Sequence, residues 1–311
     1  MSLISLPEVK EVEKLVISKF ESDAKLLREI PDYLFSLGGK RIRPYLAILL
    51  GKVLGLDPIP SSLIQISAGI ELIHLATLLH DDIIDKSTKR RNASSPFIKY
   101  GTPNTLLAGD FLLVRAFSLC AHLDSYIVER TEVACVELTE GEIEEIPLCE
   151  RETTVQESIE ITRRKTASLF RLATESAGFI ALGKPSSELA EFGENLGIAF
   201  QLLDDILDVS STEDILGKQI GTDIREKKPS VLNILWSEET GSRILYEKGE
   251  LAEEEIKEAV SSQLKSKALA TVREMARGYI SKAEVSLLKG VPENRAAPLL
   301  ALGHFVLERI K

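Results

Sequence analysis

Two apolar stretches of helical spacing, Ile70–His80 and Leu196–Leu203, run into the same acidic pattern, Asp-Asp-x-x-Asp: Asp81, Asp82 and Asp85 in the first, Asp204, Asp205 and Asp208 in the second. Residues four apart on a helix share a face, so Asp81 with Asp85, and Asp204 with Asp208, each form a two-carboxylate edge. Such an edge repels itself unless a cation sits against it. Both stretches are apolar on nearly every side and so belong in an interior, where carboxylates must be paired or must coordinate metal. Hard divalent cations with oxygen ligands, Mg²⁺ first, are the natural occupants: Mg²⁺ takes one or two protein carboxylates and completes its shell with water and phosphate oxygens. Two such edges facing one another would hold a Mg²⁺ cluster around a diphosphate.

The rest of the chain is consistent with one all-α domain over residues 1–311. Helical signals follow one another over 8–30 (Val9, Val12, Val16, Phe20, Leu27), from Pro60-Ser61 to Asp81, from Pro103 onward, and over 126–146, 153–181, 187–209, 252–264, 266–289 and 293–310. The conspicuous loops are Gly38-Gly39, 86–102 and 210–230, and neither a fixed repeat nor a Pro/Gly/Ser-rich linker divides the sequence. A net charge of −10 without a long basic tract argues against nucleic acid as a partner. No basic segment followed by an apolar core opens the chain, and no uninterrupted apolar stretch approaches the roughly 18–20 residues of a membrane span. Cys120, Cys135 and Cys149 are odd in number and lack CxxC spacing. They read as reduced thiols of a cytoplasmic protein.

The acidic helices match in register, with His74, Leu78, Asp81 and Asp85 on one stripe and Gly197, Gln201, Asp204 and Asp208 on the other. Cations cluster after each edge: Lys86, Lys89, Arg90 and Arg91, then Lys218, Lys227 and Lys228. Near the N-terminus, Gly38-Gly-Lys-Arg-Ile-Arg-Pro44 pairs glycines that let backbone approach a bulky anion with Lys and Arg donors for phosphate oxygens. Together these describe sites for two diphosphates, one held through metal and one through Lys and Arg. The sequence offers no Ser-His-Asp or Cys-His arrangement, and His80 reads as a packed or outward-facing side chain. The chemistry open to such a site is ionisation of a diphosphate substrate and capture of the cation by a second substrate. Lys165-Thr166, in mid-helix, and Gln201 could orient the leaving group and the cation.

At this point the chain closely resembles the trans-isoprenyl (polyprenyl) diphosphate synthases, from about residue 20 onward. The resemblance rests on Gly38–Pro44, His80–Asp85 with Arg90-Arg91, Arg164–Thr166, Phe200–Asp208, and Gly217–Asp223 with Lys228. It implies the isoprenoid synthase fold, helices around a deep central cavity, in a homodimer. It implies that Asp81, Asp85 and Asp204 bind Mg²⁺, about three ions per active site, on an allylic prenyl diphosphate contacted also by Arg90, Lys165, Lys218 and Lys228. Asp82, Asp205 and Asp208 complete the acidic motifs. Lys40, Arg43, His74 and Arg91 would hold isopentenyl diphosphate. Thr166 and Gln201 would lie near the developing cation, and released pyrophosphate would take the proton.

Product length should be read just upstream of Asp81. Short-chain members of the family carry an aromatic residue at or beside the fifth position before this aspartate. Here that position is Ala76, followed by Thr77, with Ile73 and Ile70 one turn deeper. An open tunnel there implies a long-chain, octaprenyl-type product of roughly C30–C45, grown from farnesyl or geranylgeranyl diphosphate, whose release could involve transient contact with a membrane. The rivals are a short-chain synthase of C15–C20 type, a catalytic subunit of a heteromeric synthase, and a terpene cyclase-like enzyme. The intact Gly-Gly-Lys-x-x-Arg segment and the second full acidic motif argue against the last.

Overall fold

Both acidic motifs end long helices. The computed structural model describes residues 6–149, 151–210, 220–247 and 249–308. Helix α4, Ser61–Ile84, carries Asp81 and Asp82 in its last turn with Asp85 as its C-cap, and helix α10, Ser187–Ser210, carries the second motif. The helices before α4 are α1 (Pro7–Ser18), α2 (Lys25–Ser36) and α3 (Ile42–Val53). Between α4 and α10 come α5 (Pro96–Tyr100), α6 (Thr102–Cys120), α7 (Ser125–Leu148), α8 (Val155–Thr162) and α9 (Ser168–Leu182). After α10 follow α11 (Thr222–Arg225), α12 (Val231–Thr240), α13 (Glu253–Lys265), α14 (Lys267–Gly290) and α15 (Glu293–Glu308).

The helical spans expected from periodicity are found, with informative departures. The expected helix over 8–30 is broken between α1 and α2, where Ser22 Oγ accepts from the Ala24 N–H at 3.2 Å. The expected loop 86–102 contains a two-residue antiparallel hairpin, β1 (Lys89–Arg90) with β2 (Ala93–Ser94), then α5. Its turn residues Arg91 and Asn92 have φ of 50° and 63°, the positive values that a tight hairpin turn requires. α3 gave no periodic signal because it is buried almost all round.

α9 is the central element. It packs against α3, α4, α7 and α10, so it touches both acidic helices, while α4 lies along α6 and α10 along α14. Glycines set the α9–α10 approach: a Cβ at Gly197 would stand 2.6 Å from Ala167 Cα, and one at Gly193 2.6 Å from the Phe170 carbonyl oxygen. One contiguous apolar core includes Leu72, Ala76, Phe170, Leu202 and Ile206. Burying each large aliphatic of this set stabilises by about 1.5–3 kcal/mol. α4, although interrupted by Glu71, is by length and composition apolar enough to cross a membrane, but 67% of that apolar window is buried inside the protein. Its hydropathy is that of a core helix.

Candidate active site

On α4, His74, Thr77, Leu78, Asp81 and Asp85 are partly exposed, whereas Ile73, Ala76, Leu79 and Asp82 are buried. At about 100° per residue the first group forms one stripe. The helix therefore presents Asp81 and Asp85 together on its open face. Asp82 points inward and pairs with Arg90, whose Nε donates to Asp82 Oδ1 at 2.8 Å while Nη2 stands 2.7 Å from the same oxygen. Asp82 Oδ2 is buried with no partner among the described residues. Burial, followed by the Glu142 and Asp85 charges, pushes the Asp81 carboxyl up to about 7, against the pull of Lys165 and Arg90. A carboxylate held this high favours an added cation, which would restore its ionised form.

The second motif is asymmetric with the first. Gln201 and Asp204 are partly exposed, while Asp205 and Asp208 are buried. Gln201 Nε2 donates to Asp205 Oδ1 at 2.9 Å, and Thr166 Oγ1 donates to Gln201 Oε1 at 2.8 Å. Asp208 Oδ2 accepts from the Asp223 N–H at 3.1 Å, and its carbonyl accepts from the Gly221 N–H at 3.0 Å. The third aspartate of this motif thus anchors the following loop, where Asp85 in the first motif stays at the open face.

Lys165 and Thr166 lie on a π-helical turn, Arg163–Ala167, that interrupts the helical run from α8 into α9. Such widened turns re-aim side chains and recur at functional sites. Gly141 of α7 lets the turn approach, since a Cβ there would lie 2.8 Å from Arg164 Cβ. Lys165 Nζ bonds Glu145 and stands 2.6 Å from Glu142 Oε2. Burial lowers its pKa, but Glu145, Glu142 and Asp81 more than offset this and keep the ammonium charged. Lys228 Nζ donates to Asp85 Oδ2 at 2.8 Å and forms an ion pair with Glu226, 3.0 Å from Oε2, and Ser87 Oγ donates to Glu226 Oε1 at 2.7 Å. Asp85, Lys228, the 221–228 loop and Asp208 therefore link the two acidic helices.

A second, cationic centre adjoins the first. Arg43 is buried, its guanidinium 5.0 Å from the Phe170 ring, and Nε has no hydrogen-bond partner among the described residues. A Cβ on Gly39 would meet both terminal nitrogens of Arg91 at 3.1 Å, so a bare backbone lies over that guanidinium. Arg91 Nη1 is likewise buried without a hydrogen-bond partner among the described residues. Burial lowers the Arg43 pKa against the Glu71 and Asp204 charges; burial, then Arg90 and Arg41, lowers that of Arg91. His74 falls well below its usual range through burial and then Arg43 and Arg91, so it is neutral. Crowded guanidiniums with orphaned donors are relieved by an anion. Lys40 is exposed at the rim, 5.8 Å from the Phe305 ring centroid.

The structure adds residues that the sequence did not single out. Arg41 in a left-handed conformation (φ 47°) stacks on Phe35 at 3.7 Å and donates to Glu71 Oε1 at 3.1 Å, which fixes the Gly-Gly-Lys loop on α4. Glu71, a lone carboxylate inside an apolar run, was the available signal for a buried cationic partner. Glu142 and Glu145 gave none, because α7 is acidic along much of its length. His80 faces α6, with Nε2 3.2 Å from the Leu106 carbonyl oxygen and packed over Gly109. Lys218 and Gly217 lie outside the described residues.

The donor set fits Mg²⁺. Among the described residues no three His, Cys, Asp or Glu side chains close into a ready-made metal cage. An ion held by one or two carboxylates from each helix, with phosphate oxygens and water completing its shell, needs none.

With this geometry established, similarity to known proteins becomes specific. The Polyprenyl synthetase family matches residues 24–263. The chain belongs to this family. It is 36% identical over 229 residues to the octaprenyl diphosphate synthase of Haemophilus influenzae, covering 72% of this chain and 69% of that protein. It is 33% identical to a short chain isoprenyl diphosphate synthase of Methanothermobacter thermautotrophicus, covering 89% of each. A Caulobacter crescentus polyprenyl synthase crystallised with calcium and isoprenyl diphosphate superposes with a TM-score of 0.91 at 30% identity, over 98% of this chain and 95% of that one. The fold is the all-α isoprenoid synthase fold and the enzyme is a prenyltransferase, a trans-prenyl diphosphate synthase of a family that uses divalent metal.

Proposed function

We propose that this synthase is Mg²⁺-dependent, uses isopentenyl diphosphate as the repeated acceptor, and makes a long-chain product of roughly C30–C45. The observation carrying the length is the half-exposed face of α4 one turn behind Asp81, at Leu78 and Thr77, which bears no Phe, Tyr or Trp. A short-chain reading draws support from the short-chain relative, which matches more of the chain than the octaprenyl one. Chromatography of dephosphorylated products from farnesyl and geranylgeranyl diphosphate starters decides: a terminal product of C15–C20 would refute the long-chain reading.

In this mechanism Asp81, Asp85 and Asp204 would hold the metal, which when bound would neutralise charge developing on the allylic diphosphate. Arg90, Lys165, Lys228 and Lys218 contact the same diphosphate. Each described cation in this group is held in place, Arg90 by Asp82, Lys165 by Glu142 and Glu145, and Lys228 by Asp85 and Glu226. Binding substrate would exchange part of these contacts for phosphate oxygens. Arg43, Arg91, neutral His74 and Lys40 take the second diphosphate. Thr166 and Gln201, already hydrogen-bonded, turn oxygen dipoles toward the allylic cation. Arg43→Ala is expected to raise the KM for isopentenyl diphosphate about 10–100-fold, the worth of a charge-assisted pair, and that for the allylic substrate far less. Steady-state kinetics with each substrate varied separately checks this. Equal effects on both would undo the division.

The proposed homodimer would use the outer faces of α6 and α7. Leu107, Val114 and Phe117 on α6, with Val136, Ile143 and Ile146 on α7, leave large apolar side chains exposed. Val114→Glu combined with Ile143→Glu is expected to give a monomer by light scattering. A dimer that persists would place the interface elsewhere.

A further inference from the structure

Behind Lys228 lies a pair of buried amides that the chemistry above does not use. Asn233 on α12 and Gln263 on α13 are 1% and 0% exposed. Asn233 Nδ2 donates to the Lys228 carbonyl at 2.8 Å and to the Asp223 carbonyl at 3.2 Å. These carbonyls mark the two ends of one turn, closed by Lys228 N–H to Asp223 O at 2.8 Å and passing through Lys227 at φ 54°. Two carbonyls can only accept, so the amide must present its NH₂ to them, and its oxygen is left facing α13. There Gln263 Nε2 donates to Asn233 Oδ1 at 2.6 Å, which locks that orientation. The helix itself is capped toward the same turn, the Asn233 N–H donating to Ser230 Oγ at 3.3 Å.

The clamped turn carries both ends of the link between the acidic motifs. Its Asp223 N–H holds the Asp208 carboxylate, and its Lys228 ammonium reaches Asp85. We propose that Asn233, oriented by Gln263, is a positioning residue that fixes the Lys228 ammonium at the allylic-diphosphate end of the site. The proposal rests on the reading above that Lys228 contacts the allylic diphosphate. A buried Asn–Gln pair is a poor choice for stability alone, since an apolar pair would avoid desolvating two amides. Its geometric product is a turn that cannot shift without leaving buried donors and acceptors unpaired. A displacement near 1 Å in such a group is enough to weaken a charge-assisted contact.

The test uses the full chain with Asn233→Leu, Gln263→Leu and Lys228→Ala, reading the two KM values separately and amide hydrogen exchange over residues 220–228. The expected result for Asn233→Leu is an allylic KM raised about tenfold, an unchanged KM for isopentenyl diphosphate, and faster exchange of the turn. Gln263→Leu, which keeps the two donors but frees their orientation, should move the same quantities in the same direction by less. It decides the question alone where Asn233→Leu does not fold. A merely structural role would lower Tm and leave the ratio of the two KM values at its wild-type level, and that result overturns the proposal. If Lys228→Ala itself leaves the ratio unchanged, the substrate assignment of Lys228 is what fails, and exchange still reports whether the clamp holds the turn.

Discussion

Replacing Asp81 by alanine is expected to abolish prenyl transfer, by at least about 10³-fold in kcat, without unfolding the protein. Asp204→Ala should do the same from the opposite helix. The magnitude follows from the proposed role: the metal would offset charge that builds on the departing diphosphate, and each acidic helix would supply part of its coordination. The stability half of the expectation follows from the metal-free electrostatics. Burial and neighbouring carboxylates raise the Asp81 carboxyl to about 7. The folded protein therefore holds this proton more tightly than the unfolded chain does, and folded stability falls as pH rises from the usual carboxylate range to about 7. At about pH 8, then, metal-free Asp81→Ala should melt no lower than wild type. Saturating Mg²⁺ should raise the Tm of wild type in the presence of substrate analogue and raise that of the variant less. Near-full turnover by either variant at saturating Mg²⁺ would refute the metal clamp.

How much of this site the sequence disclosed depended on whether a residue's role is periodic and local or set by its neighbours. The Asp81–Asp85 edge was legible because carboxylates spaced four apart on an apolar helix repel one another unless a cation lies between them, whereas the choice of Asp204 without Asp208 came only from the family resemblance. The helical frame was legible from periodicity too, and α3 escaped because a helix buried on all sides has no amphipathic period. The inequality of the two motifs was not legible: Asp85 and Asp208 hold equivalent positions, and only the return of the 221–228 loop, with Asp223 N–H capping Asp208, makes one of them a structural anchor. The π turn under Lys165-Thr166 was hidden as well, since its widening answers to the close passage of α7 at Gly141, far away in sequence. Arg41 stood in plain view between Lys40 and Arg43. Its separation from them as a structural residue required the left-handed backbone that turns its guanidinium away onto Phe35 and Glu71.

That distinction between positions on one helix also decides where product length is best tested. From Asp81, Thr77 lies one turn deeper, about 6 Å along the axis and about 40° round it. It is partly exposed on the same face, its hydroxyl occupied by the His74 carbonyl at 2.9 Å. Ala76 lies about 140° round from Asp81 and is fully buried in the core, as Ile73 nearly is. The motif alone pointed to Ala76; the packing points to Thr77. Thr77→Phe is therefore expected to shorten the product to about C15–C20 with little change in Tm, since its ring enters open space rather than packed interior. Ala76→Phe must instead push a ring into the core, where overpacking costs about 1–3 kcal/mol, and it should lower Tm more than it alters the product distribution. Both variants should retain the first condensations, because neither position touches the acidic edges. Chromatography of dephosphorylated products beside thermal melts separates the cases. If Ala76→Phe shortens the product while Thr77→Phe leaves it long, the growing chain runs along the other side of α4 and the face assigned here is wrong.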